Sequence, residues 1–234
     1  MIWPPRPHFQ HSCPVLMNKQ RLIPLIVATA LFMENMDSTV IATSLPAIAA
    51  DIGTSPLTLK LAITSYLLSL AVFIPASGWT ADRFGARIVF AGAVAVFMLG
   101  SIGCALSSSV TDFVFARILQ GLGGGGMVPV AQSILADAFP PAKRGQAFAV
   151  FGIAVVVAPV VGPTLGGWLS DNLSWHWCFL INAPVGAFAI ALIAAVLQEP
   201  ARPKDQKQDN SFDFIGFALV LAGVFAASRK QSAA

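Results

Sequence analysis

The sequence carries little charge. Only 11% of its 234 residues are Asp, Glu, Lys or Arg, whereas soluble domains average about 25%. This scarcity argues against a soluble enzyme and against a nucleic-acid-binding protein, because both need a charged, hydrated surface. Tyrosine is nearly missing too, with one Tyr against 17 Phe and 5 Trp, so most aromatic side chains are of the kind that lipid tolerates.

Cysteine and histidine are also scarce. Cys13, Cys104 and Cys178 are odd in number and lack the spacing of metal ligands, so we expect neither a disulfide framework nor a metal site. The three histidines lie in a polar N-terminal tail or in one loop, away from any partner that would make a nucleophile–base set. We therefore predict that the protein is not an enzyme and needs no cofactor.

Long apolar runs are the main feature that is present. A helix needs about 20 apolar residues to cross a bilayer, and six runs reach that length. The sequence therefore predicts an all-α polytopic membrane protein whose main domain is a six-span bundle over residues 22–197. The predicted spans are 22–50, 57–80, 88–107, 112–136, 147–170 and 177–197.

Three segments flank this predicted domain. Residues 1–21 are polar and proline-rich and are predicted to be a disordered tail, in which Met17 is an alternative start. Residues 198–213 are predicted to be a polar loop, and residues 214–234 to be an incomplete seventh span with the chain end. A cleaved signal peptide in the first run is the less favoured alternative, because five more spans follow it.

The basic residues alternate between the two sides of the predicted bundle. Ten of the 14 lie in the tail and in three loops, whereas the other three loops hold none. The positive-inside rule then predicts an inner-membrane protein whose tail and basic loops are cytoplasmic. The basic loops are 81–87, 137–146 and 198–213, and the loops without Lys or Arg are 51–56, 107–111 and 171–176.

A short sequence repeat occurs once in each half of this domain. The sequence Gly-Trp-Thr-Ala-Asp at 78–82 closes the second span, and Gly-Trp-Leu-Ser-Asp at 167–171 closes the fifth. The two copies fall on opposite predicted faces of the membrane. This arrangement is typical of two three-helix repeats with inverted topology.

Three ionisable residues inside spans are the candidate functional group. Glu34 and Asp37 share one face of the first span because of their i, i+3 spacing. Charged groups within a membrane are costly and usually functional, and a carboxyl held away from water can load and release a proton. The alternative is a structural polar patch within the bundle.

Arg117 is the only arginine inside a predicted span. We expect it to pair with a span-1 carboxylate, although the two backbones differ in depth by roughly 10 Å. The alternative is that Arg117 snorkels to the interface and only anchors its helix. Snorkelling is the favoured interpretation for Lys60, near the end of the second span.

Glycine and proline recur in the fourth and fifth spans. The run 120–126 lacks the Gly-Lys-Ser/Thr ending of a phosphate loop, so we interpret its glycines as sites where helices approach closely. Ala158, Gly162 and Gly166 form a similar stripe of small residues, beside prolines that bend the helix. The residues predicted to set helix packing in the fifth span are Pro159, Gly162, Pro163, Gly166 and Gly167.

The loop over residues 78–87 joins the second and third spans. It is short, so it holds two helix ends together; Asp82 can cap a helix or form a salt bridge, and the alternative is a topology anchor only. Its candidate gating residues are Gly78, Asp82, Arg83, Gly85 and Arg87, and the gating role is what a family resemblance of this loop implies.

Five segments together resemble the major facilitator superfamily, and in particular the N-terminal half of its 14-span proton-dependent drug exporters. Each segment is similar to a motif of that group, with one or two departures. The departures are Thr80 and Ala86 in the loop, Ala158 before the span-5 motif, Ala42 in span 1 and His176 in place of an Arg. The segments are 78–87, 117–123, 162–167, 36–46 and 175–186.

The resemblance implies a fold and an activity. It implies an MFS-type bundle, normally accompanied by a second six-helix half, and proton-driven export of drug-like hydrophobic or cationic compounds. Asp37 with Glu34 would accept the proton or cation, and Arg117 would modulate them. Two alternatives stay open, namely a truncated half without activity of its own and a carrier assembled from two copies. The expected partners are the substrate, protons and the lipid bilayer.

Overall fold

The computed structural model describes residues 14–197 and 222–223, with side chains described from Leu22 onward. Between residues 14 and 197 the regular structure is all helical, which confirms the predicted fold class. The helices are α1 (Pro14–Ile52), α2 (Pro56–Phe84), α3 (Ala86–Ala105), α4 (Val110–Ala138), α5 (Pro141–Asn172), α6 (His176–Leu180) and α7 (Asn182–Val196).

Six helical stretches in the described part are long and apolar enough to cross a membrane. They match the six predicted spans. The sixth stretch, His176–Val196, consists of α6 and α7 with a break at Ile181. Pro184 follows the break and has no N–H to donate to the carbonyl one turn earlier, which explains why the helix is interrupted there.

Several helices extend beyond the predicted spans. α1 is already helical at Pro14, within the stretch predicted to be a tail, and α5 begins at Pro141 rather than near 147. Apolar patterning marks the part of a helix that lipid can cover, and the backbone hydrogen bonds continue into the polar flanks. The predicted tail up to residue 13, the loop over 198–213 and nearly all of the seventh span lie outside the described residues.

The helices pack in a pattern that is symmetric between the two halves. α2 packs on α4 as α5 packs on α1, and α3 packs on α4 as α7 packs on α1. α1 also touches α4, and α3 touches α7. Exchanging the first three spans for the last three leaves this set of contacts unchanged, as inverted repeats require.

Glycines make the closest of these contacts. A β-carbon on Gly121 would lie 2.6 Å from the Tyr66 carbonyl oxygen in α2, and one on Gly123 would overlap the Phe97 backbone in α3. α4 stays helical despite its glycines, because a spanning segment must satisfy its backbone internally. The glycine run is therefore a contact surface on both sides of α4.

The two ends of the bundle differ in charge. We call the end that holds the α2–α3 and α4–α5 turns the basic end, and the opposite end the far end. The α2–α3 turn is Gly85 alone, whose φ of 96° favours glycine and whose N–H donates to the Ala81 carbonyl at 2.9 Å. The charged residues near the basic end include Arg83, Arg87, Lys143 and Arg144.

The core is divided by a polar layer. One apolar cluster fills the half toward the basic end, and a second fills the half toward the far end. On α1 the first cluster ends at Met33 and the second begins at Met36; on α4 the second includes Phe113 and the first begins again at Met127. The buried polar residues between the clusters are Glu34, Asp37, Ser101, Arg117, Gln120 and Asn182.

Candidate functional site

A buried ion pair joins α4 to α1 at the centre of the polar layer. Arg117 Nη1 donates to Asp37 Oδ2 at 2.7 Å, and each side chain is only 1% exposed. The long arginine side chain therefore points into the bundle and reaches Asp37 rather than the interface. Of the three ionisable residues that the sequence singles out, these two are brought together.

The second oxygen of Asp37 is bonded from the sixth span. Asn182 Nδ2 donates to Asp37 Oδ1 at 2.9 Å and to Ser101 Oγ at 2.9 Å. Ser101 in turn donates to the Phe179 carbonyl at 3.0 Å. Each carboxylate oxygen thus has one donor, and residues from α1, α3, α4 and α7 meet at one group.

Gln120 lies one turn after Arg117 and completes the polar contacts of the arginine. Its Oε1 accepts from Arg117 Nη1 at 2.8 Å and from the Cys104 thiol at 3.7 Å. α3 lies directly against this residue, since a β-carbon on Gly100 would be 2.6 Å from the backbone nitrogen of Gln120. Helix packing therefore fixes the position of Gln120 and, through it, that of the guanidinium.

Three aromatic rings surround the Arg117 guanidinium. Its Cζ lies 4.9 Å from the ring centroid of Phe179, 5.5 Å from that of Tyr66 and 5.8 Å from that of Phe113. Ring faces within about 6 Å attract a cation. Since Nε and Nη2 have no hydrogen-bond partner among the described residues, the rings supply stabilisation on the side away from Asp37.

Glu34 has a different environment from Asp37. It is 7% exposed, and its Oε2 has no hydrogen-bond partner in the described part of the chain. A β-carbon on Gly124 would lie 3.5 Å from Glu34 Oε1 and 3.3 Å from the Tyr66 hydroxyl, so α4 packs closely against both groups at this glycine. The two acids share a helix face, but only Asp37 is held by Arg117.

The predicted gating loop lies at the basic end, away from the ion pair. Arg87 Nη2 donates to the Ala194 carbonyl at 2.7 Å, which ties the start of α3 to the last turn of α7. The Arg83 guanidinium lies over the rings of Trp79 at 5.5 Å and Phe84 at 5.8 Å. Of the other predicted gating residues, Gly85 forms the turn, while Gly78 and Asp82 are exposed.

The predicted packing residues of the fifth span divide into two groups. Gly162 and Gly166 face α1: a β-carbon on Gly166 would lie 2.8 Å from both Val40 Cγ1 and Thr43 Oγ1, and one on Gly162 would overlap Thr39. Pro159 and Pro163 are exposed on the outer face of α5, and nothing lies within 4 Å of a β-carbon on Gly167. Close packing thus depends on Gly162 and Gly166.

Sequence reasoning missed several residues of the site. Three of them are uncharged, and uncharged polar residues in an apolar span do not stand out in a sequence; these are Asn182, Ser101 and Gln120. The aromatic residues around Arg117 cannot be told from ordinary core residues by sequence. Two signals were available: Gln120 follows Arg117 at i+3 and must share its face, and both Gln120 and Asn182 lie in segments, 117–123 and 175–186, that resemble family motifs. Among the residues that the structure describes, no group of three or more His, Cys, Asp or Glu is placed to hold a metal.

Comparison with known proteins adds a family. The family model described as Major Facilitator Superfamily matches residues 27–230. The chain is 40% identical over 207 residues to a Haemophilus influenzae protein named transport protein HsrA, covering 88% of this chain and 44% of that protein. It is 45% identical over 201 residues to a Cronobacter sakazakii protein named multidrug resistance protein MdtD, covering 86% and 42% respectively. The chain therefore spans a little under half the length of these relatives.

Solved structures agree on the fold. A proton:xylose symporter, XylE, superposes with a TM-score of 0.69 at 18% identity, covering 92% of this chain and 52% of that one. The human organic anion transporter MFSD10 superposes with a TM-score of 0.67 at 22% identity, covering 86% and 53%. At such identities the likeness concerns the arrangement of helices alone.

Proposed function

Because the chain belongs to the Major Facilitator Superfamily of membrane transporters, we propose that it takes part in proton-coupled export of drug-like hydrophobic or cationic compounds. The relatives named for multidrug resistance support the substrate class. The buried Asp37–Arg117 ion pair is the observation that carries the proton coupling.

The ion pair offers a physical route from a proton to a movement of helices. Protonation of Asp37 neutralises the carboxylate and leaves Arg117 as an uncompensated buried cation. Breaking a buried pair in this way costs about 3–5 kcal/mol, so the protonated bundle favours a different arrangement of α1 and α4. These helices begin the two three-helix repeats of this half, and carriers of the family rock one six-helix half against the other around the substrate site between them.

Glu34 is proposed to meet the positive charge of a substrate or a second proton. Its buried Oε2 has no hydrogen-bond partner among the described residues, whereas both oxygens of Asp37 are occupied. A buried carboxyl without such a partner gains most from a cationic ligand.

The loop over 78–87 and the fifth span are proposed to control the movement. The Arg87–Ala194 bond supports a locking role for the loop at the basic end. The contacts of Gly162 and Gly166 support a role in packing α5 on α1. The excess of Lys and Arg at that end supports a cytoplasmic location in an inner membrane, with a cytoplasmic N-terminus.

A second candidate is a half that has no transport activity of its own. The chain covers only 42–44% of the length of the two relatives described above, and carriers of this family bind substrate between two halves. A second six-helix half, or another copy of this chain, is then the proposed partner.

Transport in proteoliposomes with an imposed pH gradient separates these candidates. We expect the full 234-residue chain to move a lipophilic cationic dye, and Asp37→Asn to abolish the gradient-dependent part. Asp171→Asn is the matched control, since Asp171 is exposed, and it should transport like the parent. Dye movement that survives Asp37→Asn would refute coupling through Asp37, and no movement by the parent chain would favour the inactive half.

A further inference from the structure

We propose that Asn182 is the positioning residue for Asp37, and that its side-chain amide turns over when Asp37 takes up a proton. This inference rests on the proposed function, in which Asp37 is the proton acceptor. It goes further by assigning to the sixth span a defined step in proton uptake.

The hydrogen bonds of Asp37 suit its ionised form only. Oδ2 accepts from Arg117 and Oδ1 accepts from Asn182 Nδ2. A protonated carboxyl must donate through one of these oxygens, and an arginine has no acceptor to offer. The carboxyl proton of Asp37 can therefore form a hydrogen bond only if a neighbouring acceptor turns toward it.

Asn182 holds such an acceptor within its own side chain. The residue is fully buried, and its Oδ1 has no hydrogen-bond partner among the described residues. Rotation of the amide by half a turn places Oδ1 where Nδ2 now lies. From there Oδ1 can accept the proton of the Asp37 carboxyl, because an amide oxygen has two lone pairs.

Ser101 makes both orientations of the amide self-consistent. In the present orientation its Oγ accepts from Asn182 Nδ2 and donates to the Phe179 carbonyl. After the turn its hydroxyl can leave the Phe179 carbonyl and donate to Asn182 Oδ1, which still has a free lone pair. Asn182 thus has a hydrogen-bonding atom to offer Asp37 in each protonation state, whereas an apolar side chain at 182 would have none.

Infrared spectroscopy of the full chain in proteoliposomes tests this without requiring transport. The protonated carboxyl band of Asp37 is assigned by its loss in Asp37→Asn. With asparagine side-chain carbonyls labelled with ¹³C, one amide band should move to lower frequency at the same pH at which the Asp37 band appears, because Oδ1 gains a hydrogen bond. That moving band should be missing in Asn182→Leu and present in Asn35→Leu, the matched control, whose amide bonds the Leu31 carbonyl instead.

The Ser101 hydroxyl offers a second test of the turned amide. Ser101→Ala provides a second variant if Asn182→Leu does not fold. Without the Ser101 hydroxyl the turned Oδ1 loses one donor, so the asparagine band should move less than in the parent.

The outcomes separate the two proposals. An Asp37 band that appears in the parent without a moving asparagine band, or an asparagine band that still moves in Asn182→Leu, refutes the role of Asn182 and leaves the proposed function standing. Absence of any Asp37 titration over the pH range in which the chain stays folded refutes both.

Discussion

Replacing Arg117 by methionine removes the only cation in the described part of the polar layer and leaves Asp37 facing an apolar side chain. Methionine keeps much of the length of the arginine and remains compatible with the rings of Phe113 and Phe179. The change therefore tests the charge more than the packing. It also leaves Gln120 Oε1 with the Cys104 thiol as its donor.

The size of the effect follows from the geometry of the pair. The two side chains are 1% exposed and lie 2.7 Å apart, so neither can turn to water when the other is lost. Removing one partner of such a pair destabilises by about 3–5 kcal/mol. In the double variant Asp37→Asn with Arg117→Met neither member of the pair is left as an uncompensated buried charge, and we expect most of the lost stability to return.

A double-mutant cycle measures this coupling. The free energy of unfolding is obtained for the parent, both single variants and the double variant, by SDS titration in mixed micelles with helicity as the signal. The matched control is Lys60→Met, which removes an exposed cation and should change stability by less than about 0.5 kcal/mol. If Arg117→Met is as stable as the parent, or if the two single effects simply add, the buried pair does not hold α1 to α4.

Two further predictions concern packing and the basic end. Gly166→Ala should destabilise the bundle by about 1–3 kcal/mol in the same SDS titration, because the added β-carbon meets α1. Gly167→Ala is the control and should match the parent, because nothing lies within 4 Å of its β-carbon. Equal effects of the two substitutions would contradict the packing role assigned to Gly166. Arg87→Met should speed hydrogen exchange in the last turn of α7, because the bond to the Ala194 carbonyl is lost. Arg83→Met is the control at the same end. If exchange in the last turn of α7 rises equally in both variants, Arg87 does not specifically hold α3 to α7.

The number and approximate positions of the spans could be predicted because lipid imposes a length and a polarity on each helix. The break at Ile181 was not predicted, although Pro184 supplied its cause. The helical starts at Pro14 and Pro141 were missed for a different reason. Hydropathy reports where lipid ends, whereas a helix continues as long as its backbone hydrogen bonds do.

The site was predictable only where charge made it conspicuous. An arginine in a span needs a counter-ion, so pairing with an acid of α1 could be expected, but the sequence did not say which acid. Glu34 and Asp37 differ by a small rotation about one helix, and that rotation is set by contacts with α4 and α7. Asn182 and Ser101 could not be placed near Asp37 from sequence, because their approach depends on how three helices cross.

The glycine contacts of α5 on α1 and of α2 on α4 have a mechanical consequence. A β-carbon would meet the Tyr66 main-chain oxygen of α2 at Gly121 and the short side chains of Val40 and Thr43 of α1 at Gly166, so no long, flexible side chain separates the helices of either pair. We therefore expect each pair to move as one rigid unit. A displacement of a few ångströms at the Asp37–Arg117 ion pair, which joins α1 to α4, should then reach both ends of each pair. Flexible side chains at the helix contacts would instead absorb such a displacement locally.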